Sequence, residues 1–266
     1  MTTSRPHPGP RPSHSTRAHS FNTAAAQYAA NRPSYPPTLF DTVEALSPRP
    51  LHGSRTVDVG AGTGISTALL HSRGAHVLAV EPGAGMAAQF RRSHPHIPVV
   101  RGDGNALPVA TASTDFLTYA QSWHWTDPSR SVPEALRVLR PGGVLALWWN
   151  TDAADIPWIA DATTRIHRFL GVDPGTPIEK SGSGAAAALT DTAGLLDFTR
   201  RELRWSREVS LDTHLANIAS HSTFLILGED ATAEFLTEER ARLRELFPTE
   251  IIEETYDVDL LLAIRP

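Results

Sequence analysis

Short apolar runs alternate with helix-period segments through the middle of the chain. Five apolar runs predict buried strands, at residues 55–60, 76–81, 97–103, 115–121 and 144–150. Three segments between them have apolar residues three and four positions apart and predict helices, at 64–74, 85–93 and 129–140. Strands that alternate with helices favour an α/β fold with a mostly parallel sheet, helices on both faces and right-handed crossovers.

The helix predicted over 64–74 illustrates the pattern. Ile65, Ala68 and Leu69 fall on one helical face, which we expect to be the buried one. Gly74 follows as a stop signal, since glycine readily adopts the left-handed conformation that ends helices.

Both flanks of this alternating region extend the prediction. Residues 21–47 read as two helices joined by an extended link, because Pro33, Pro36 and Pro37 interrupt the helical pattern. After residue 150 we predict a helix, a loop, a strand, a helical stretch and a last strand, at 155–171, 173–184, 197–209, 212–247 and 253–264. We expect the last two strands to close a seven-stranded sheet as an antiparallel pair, with the helical insertion capping its ligand end.

Length and charge restrict the organisation and the partners. The 266 residues predict a disordered tail at 1–20 followed by one domain at 21–266. The net charge is −5, and the tail contributes +3 through Arg5, Arg11 and Arg17, so the domain carries −8. So acidic a domain repels phosphate backbones, which argues against a nucleic-acid partner.

Residue usage excludes several further classes. The chain has no cysteine, so disulfides, zinc-thiolate sites and cysteine nucleophiles are excluded. No apolar run approaches the roughly 20 residues of a membrane span, and the first residues lack the apolar core of a secretory signal. His94 and His96 form a conceivable metal pair, but a surface loop is the better interpretation. We expect a cytoplasmic monomer or homodimer without a metal.

Candidate chemistry begins at "VDVGAGTG", residues 57–64, where a predicted strand turns into a helix. Gly60, Gly62 and Gly64 allow a tight turn and a close ligand approach. Their spacing is G-x-G-x-G, which differs from the G-x-G-x-x-G of dinucleotide sites. Asp58 stands two residues before the first glycine, where a carboxylate repels a pyrophosphate and suits an ammonium group. The loop therefore favours a cationic ligand.

Two acids end the next predicted strands. Glu81 comes 21 residues after Gly60, where an acid can accept both hydroxyls of a ribose. Asp103 ends the third predicted strand and can accept from the exocyclic amine of an adenine. Amino-acid, ribose and adenine sites on successive strands together describe S-adenosyl-L-methionine.

Over residues 21–150 the chain resembles the class I S-adenosylmethionine-dependent methyltransferases, which implies a Rossmann-like fold. "VDVGAGTG", "VEPGAGM", "GDGNALP" and "LRVLRPGGVLAL" resemble motifs of that family, although Gly104 stands where alanine is usual. The resemblance implies the following cofactor contacts: the methionyl part near Asp58, Gly60 and Gly62, ribose at Glu81, adenine at Met86, Asp103 and Gly104, and the amino group at backbone groups of Gln121.

The segment "YAANRPSYP", residues 28–36, resembles a subgroup of small-molecule methyltransferases. The resemblance implies that Tyr28 and Arg32 help to close over the cofactor, with Arg32 near the cofactor's carboxylate.

The segment "AQSWHWTDPS", residues 120–129, follows the fourth predicted strand and faces the methyl group in this fold. His124 is either a general base or part of a pocket wall. Trp123, Trp125 and Trp149 are candidate substrate contacts, with core packing as the alternative. His214 and His221 are seven residues apart in the C-terminal insertion and could point into the pocket, although a solvated or packed helix face is the favoured interpretation.

These features predict methyl transfer from S-adenosyl-L-methionine to oxygen, nitrogen or carbon of a small molecule, such as a natural product or a carboxylic-acid metabolite. Two alternatives remain open, namely a cofactor-binding module that does not methylate and an enzyme that uses the sulfonium charge to assist a rearrangement. A nicotinamide-dependent reductase is disfavoured by the glycine spacing and by Asp58.

Overall fold

The computed structural model describes residues 25–171 and 196–266. The tail predicted at 1–20 and the loop predicted at 173–184 lie outside the described residues.

The strands and helices agree in type and order with the pattern in the sequence. The strands are β1 (Arg55–Val59), β2 (His76–Val80), β3 (Val99–Val100), β4 (Thr114–Ala120), β5 (Leu139–Asp152), β6 (Phe198–Ser210) and β7 (Ile251–Ile264). The helices of the described residues are α1 (Ala25–Asn31), α2 (Pro37–Leu46), α3 (Ile65–Ser72), α4 (Ala84–Ser93), α5 (Pro128–Val138), α6 (Pro157–Leu170), α7 (Leu211–Ala219), α8 (Ser222–Leu227) and α9 (Glu229–Leu246). A short 3₁₀ turn, Trp123–Trp125, follows β4.

All seven strands form one sheet in the order β3-β2-β1-β4-β5-β7-β6. Strands β1 to β5 pair in parallel, whereas β7 runs antiparallel to both β5 and β6. The predicted Rossmann-like α/β sheet with an antiparallel closing strand is therefore confirmed. The strand order changes direction between β1 and β4, and in such sheets ligands bind at this point beyond the carboxyl ends of the strands.

Several predicted boundaries were wrong. Strand β3 has only two residues rather than seven, and Pro98 before it has no N–H to give to a ladder. Strand β5 starts directly after α5, well before residue 144, because the chain's C-terminus continues the pairing. Arg265 exchanges backbone hydrogen bonds with Gly142 and Gly143.

The buried face of α3 also differs from the prediction. Ser66, Thr67 and Leu70 are buried, whereas Ile65 and Leu69 are only partly covered. The hydroxyl of Thr67 is needed below the helix as a hydrogen-bond donor, so a polar side chain takes a position that periodicity assigns to an apolar one.

Two apolar layers cover the sheet. Alternate residues of β5 point to opposite faces, so Trp148 packs with α2 on one side and Trp149 packs with α5 on the other. No helix among the described residues is long and apolar enough to cross a membrane.

Helices α6 to α9 form a cap with its own small apolar core around Leu215, Phe224 and Phe235. Strands β6 and β7 reach into this cap. Their pairing continues from Trp205–Tyr256, level with the end of β5, out to Ser210–Ile251. The hairpin thus brings side chains of β7 above the carboxyl edge of the parallel strands.

Candidate active site

The glycine loop lies at the carboxyl end of β1, as predicted. Gly60 has φ +66°, and a Cβ added to it would lie 2.5 Å from the Cβ of Ser122 in the loop after β4. Ser122 in turn donates to the carbonyl of Val59 at 2.5 Å. Only glycine allows these two loops to meet here, so the sequence "VGAG" sets the floor of the site.

Asp58 is completely buried beneath that loop. Its Oδ2 accepts from the Thr67 hydroxyl at 2.6 Å and its Oδ1 from the Thr118 hydroxyl at 2.7 Å. Burial raises the pKa of Asp58 to about 6, and the hydroxyl hydrogen bonds only partly oppose it. Among the described residues no arginine or histidine forms an ion pair with this carboxylate. It is a buried acid without a cation.

A second buried aspartate, at the start of β4, has the opposite surroundings. Asp115 forms ion pairs with Arg49 at 3.2 Å and Arg140 at 2.5 Å, and it accepts from the backbone N–H of Arg55. The protein therefore supplies cations to the carboxylate at one edge of the sheet and none at the edge where a ligand would bind.

Glu81 follows β2 and is 6% exposed. Its two carboxylate oxygens accept from the backbone N–H groups of Gly62 at 2.8 Å and Gly83 at 2.6 Å. Burial raises the pKa of Glu81, and these two hydrogen bonds partly oppose the rise. Each carboxylate oxygen has a further lone pair, so Glu81 can hold the glycine loop and still accept from hydroxyls.

The predicted adenine residues lie around the neighbouring loops. Met86 is buried on α4, with its terminal methyl near Gly62. Asp103 is exposed, and its Oδ1 accepts from both the backbone and the side-chain amide of Asn105. Gly104 is buried, and a Cβ there would approach the methyl of Thr126 to 2.9 Å, which explains why this chain has glycine where the family usually has alanine.

The segment after α1, residues 32–36, crosses the carboxyl edge of the sheet, and we call it the strap. Arg32 lies over the ring of Tyr28 at 4.7 Å and donates to the Ser220 carbonyl at the end of α7. Tyr35 is buried with its ring edge against Trp148. Burial raises the pKa of Tyr35, and the nearby Tyr28 and Asp58 raise it further. The strap thus links the glycine-loop region to the cap.

Gln121 ends β4 with φ +56°, a left-handed conformation that is uncommon outside glycine. Its backbone N–H donates to Trp148 and its side chain donates to the carbonyl of Asn150. The N–H is therefore occupied, which leaves the carbonyl as the backbone group able to meet a ligand's amino group. Asn150 also donates to the Ser34 carbonyl of the strap.

His124 has a defined ring orientation. The indole N–H of Trp149 donates to its Nδ1 at 3.3 Å. An indole nitrogen is only a donor, so the neutral ring of His124 carries its hydrogen on Nε2. A ring in this form donates a hydrogen bond through Nε2 and has no lone pair there to take a proton. The geometry favours the pocket-wall interpretation over the general base.

The three predicted tryptophan contacts differ in exposure. Trp123 and Trp149 are each about 1% exposed and belong to the core layer under the sheet. Trp123 meets Tyr119 edge to face. Either ring would contact a substrate only if that layer opened. Both rings therefore serve as core packing in this structure. Trp125 is partly exposed and its ring lies 4.8 Å from that of His124.

A buried polar cluster lies where β7 meets α7. Glu254 accepts from Arg207 at 2.7 Å and from the hydroxyl of Tyr256 at 2.8 Å, and it bonds His214 Nδ1 at 2.7 Å. Burial by itself raises the pKa of Glu254. The hydrogen bond of His214, the charge that its ring carries when protonated, and the charge of Arg207 outweigh burial and lower that pKa to about 2. Asn217 completes this polar cluster by donating to the Tyr256 hydroxyl oxygen at 3.3 Å.

Sequence patterns indicated little of this polar cluster. His214 and His221 were predicted to share one helical face, but α7 ends at Ala219 and His221 stands at the start of α8. The detectable signal is in β7, where Glu254 and Tyr256 occupy alternate positions of a strand whose later inward residues are apolar. A buried acid on a strand face that is otherwise apolar indicates that a side chain from another element pairs with it.

The family model, the two relatives and the solved structure described here are all methyltransferases. Residues 57–147 match the family model of a methyltransferase domain. An uncharacterized methyltransferase of Mycobacterium tuberculosis (strain ATCC 25618 / H37Rv) is 32% identical over 230 residues, which are 86% of either chain. The demethylmenaquinone methyltransferase of Beutenbergia cavernae is 36% identical over 118 residues, which are 44% of this chain and 47% of that one. A solved structure of a candidate type II methyltransferase from Anaeromyxobacter dehalogenans has a TM-score of 0.60 and 25% identity, and covers 88% of this chain and 96% of that one.

Proposed function

Because the chain belongs to the class I S-adenosylmethionine-dependent methyltransferases, we propose that it methylates a small molecule held beneath a roof made by the strap and α7. The proposal rests on the hydrogen bonds that join the strap to β6 and to the end of α7. Arg207 donates to the carbonyls of Asn31 and Arg32, and Arg32 donates to that of Ser220. A roof fixed in this way would cover a small acceptor and exclude water from the reacting groups.

The residues at the strand ends fit S-adenosylmethionine. Asp58 is a buried carboxylate that lacks a protein cation, and an ammonium group would supply one. Glu81 has lone pairs for two ribose hydroxyls in addition to its bonds to the glycine loop. Met86, on α4 after β2, and Asp103, after β3, would contact the adenine.

The cofactor supplies a methyl group that its sulfonium charge already makes reactive, so the protein's own contribution is binding, orientation and exclusion of water. We assign Tyr28 and Arg32 to closure over the site and the carbonyl of Gln121 to the ligand's amino group. His124, held by Trp149, lies beside Trp125, and these two side chains would orient the acceptor.

The acidic charge and the relatives support a small acceptor. The chain carries a net −5, which disfavours nucleic acid. The Beutenbergia cavernae relative is named for demethylmenaquinone, a small molecule.

The test uses S-adenosylmethionine with a tritiated methyl group, incubated with the protein and three separate cell fractions: small molecules, protein and RNA. We expect label to enter the small-molecule fraction only. Label in the protein or RNA fraction would contradict the proposed acceptor class. Calorimetric titration with S-adenosylmethionine accompanies it, and Glu81→Ala should weaken binding at least tenfold, whereas Glu202→Ala on the exposed face of β6 should not.

A further inference from the structure

Two buried hydrogen-bond acceptors in the polar cluster have no protein donor. Nε2 of His214 and Oδ1 of Asn217 lack a hydrogen-bond partner among the residues that the structure describes. Their side chains belong to residues that are 8% and 6% exposed, and they stand three positions apart on α7. Buried polar atoms in folded proteins almost always have partners, so two together call for an explanation.

One carboxylate fixes both atoms as acceptors. Glu254 Oε1 takes the hydrogen on Nδ1 of His214, which leaves the lone pair on Nε2. Glu254 Oε2 takes the single hydrogen of Tyr256. The Tyr256 oxygen must then accept, so Asn217 turns its NH₂ group to it and its Oδ1 away. Arg207 keeps Glu254 ionised by pairing with Oε2.

Contacts connect this polar cluster to the strand ends that border the methyl-transfer site. Gln121 donates to the Asn150 carbonyl, and the indole N–H of Trp205 donates to Asn150 Oδ1 at 3.0 Å. Trp205 packs against Tyr256 with ring centroids 5.4 Å apart. Arg207 also connects the polar cluster to the end of α1 and the start of the strap, by donating to the carbonyls of Asn31 and Arg32.

We propose that His214 Nε2 and Asn217 Oδ1 form the acceptor subsite, and that the molecule methylated there brings a hydroxyl or amine whose hydrogens these two atoms receive. The inference rests on the proposed function. It narrows the substrate class, because a carboxylate or an ether has no hydrogen to offer and would place its oxygen lone pairs against two further lone pairs.

The same arrangement of side chains also supplies a base for the proton that methylation releases. The acceptor's oxygen or nitrogen forms its new bond to the methyl carbon with its own electron pair. The electrons of the broken carbon–sulfur bond remain on sulfur and neutralise its charge. The proton lost from the O–H or N–H group passes to Nε2 of His214, and Glu254 balances the imidazolium charge. His214 is then the catalytic base and Glu254 a positioning residue, whereas His124 is a donor.

The test compares 4-fluorophenol with 4-fluoroanisole, its methyl ether, as ligands of the full chain saturated with S-adenosylhomocysteine. Fluorine NMR measures both affinities without turnover. We expect the phenol to bind at least tenfold more tightly than the ether. His214→Leu should bring the ratio close to one, whereas Asp212→Asn, an exposed position on the same helix, should leave it unchanged.

A second measurement needs no variant. Nitrogen-15 NMR of the wild-type histidines should find the neutral His214 ring with its hydrogen on Nδ1, and 4-fluorophenol should move the Nε2 resonance. Equal affinity for the two probes, absence of phenol binding, or a hydrogen on Nε2 would overturn the proposal. Calorimetry with S-adenosylmethionine separates the outcomes: if that binding is intact, only the subsite has failed, and if it is absent, the proposed function has failed.

Discussion

The two buried aspartates have opposite electrostatic environments, Asp115 at the start of β4 and Asp58 near the carboxyl end of β1. Asp115 is neutralised by Arg49 and Arg140, whereas among the described residues Asp58 has only hydroxyl partners. A pKa of about 6 means that ionising Asp58 at neutral pH costs on the order of 3 kcal/mol of folding stability. A binding site commonly retains such a group because the ligand supplies the missing charge.

Asp58→Asn should therefore stabilise the free protein and weaken cofactor binding. For an acid with a raised pKa, the cost is absent below the unfolded pKa near 3.8 and complete above about 6. We expect a higher unfolding midpoint for the variant at pH 8 and little difference at pH 4, measured by urea denaturation. Calorimetry should find S-adenosylmethionine affinity at least tenfold lower.

Asp115→Asn, at the start of β4, is the matched control. It leaves two arginines without their acid, so we expect a loss of about 3–5 kcal/mol at pH 8. If both variants lost stability at both pH values, the interpretation of Asp58 as a site for a ligand cation would be wrong.

The Trp149–His124 contact determines which ring nitrogen of His124 holds the hydrogen. Trp149→Phe removes the only indole donor to Nδ1 and should produce a mixture of the two neutral ring forms in nitrogen-15 NMR. His124→Ala should leave S-adenosylmethionine affinity within about twofold of the wild type. A wild-type ring with its hydrogen on Nδ1 would contradict the donor role.

At the scale of the elements, a cross-strand ion pair anchors the start of the strap, in addition to the bonds from Asn150 to Ser34 and from Arg32 to Ser220. Arg207 on β6 pairs with Glu254 on β7 and simultaneously holds the carbonyls of Asn31 and Arg32. The sheet therefore anchors a segment that has no strand of its own.

Arg207→Met removes the hydrogen bonds to the Asn31 and Arg32 carbonyls and should make the strap more mobile. Hydrogen exchange of residues 25–36 should become faster, and S-adenosylhomocysteine should dissociate faster in stopped-flow measurements. The single variant also leaves Glu254 buried without a cation, which costs about 3–5 kcal/mol. Adding Glu254→Gln removes that buried charge, so the double variant should recover most of the stability and keep the fast exchange. Normal exchange in the double variant would show that the strap is held by other contacts.

At the scale of the whole molecule, Asp58 and Glu254 affect acid stability with opposite signs. The pKa of Glu254 is lowered to about 2, so its stabilising contribution is present above the unfolded pKa near 4.5 and is lost as the pH falls toward 2. This contribution is on the order of 3 kcal/mol. Asp58 becomes less costly over the neighbouring range from about 6 to 3.8.

Glu254→Gln should accordingly make the free energy of unfolding less steep between pH 4.5 and pH 2. Urea denaturation of wild type and variant across that range measures the slope. Parallel curves would mean that the pKa of Glu254 is not lowered in the folded protein. Glu253→Gln, an exposed position beside it on β7, is the control and should follow the wild-type curve.

Hydrophobic periodicity predicted the type and order of the elements because a core-facing stripe must repeat every 2 or 3.6 residues, whatever its partner is. It misplaced the buried face of α3 because Thr67 is buried for its hydroxyl. It also missed the early start of β5, whose first residues pair with the distant C-terminus. Both errors occur where contact with another element outweighs the local pattern.

The sequence by itself determined the fold class and predicted the cofactor side of the site, since glycines and acids at successive strand ends are brought together by any parallel sheet. Only the tertiary structure decided which side chains share protons. Glu254 and His214 are 40 residues apart, and Trp149 is 25 residues from His124. The state of each histidine depends on the donor or acceptor placed against its ring, and no spacing along the chain specifies that partner.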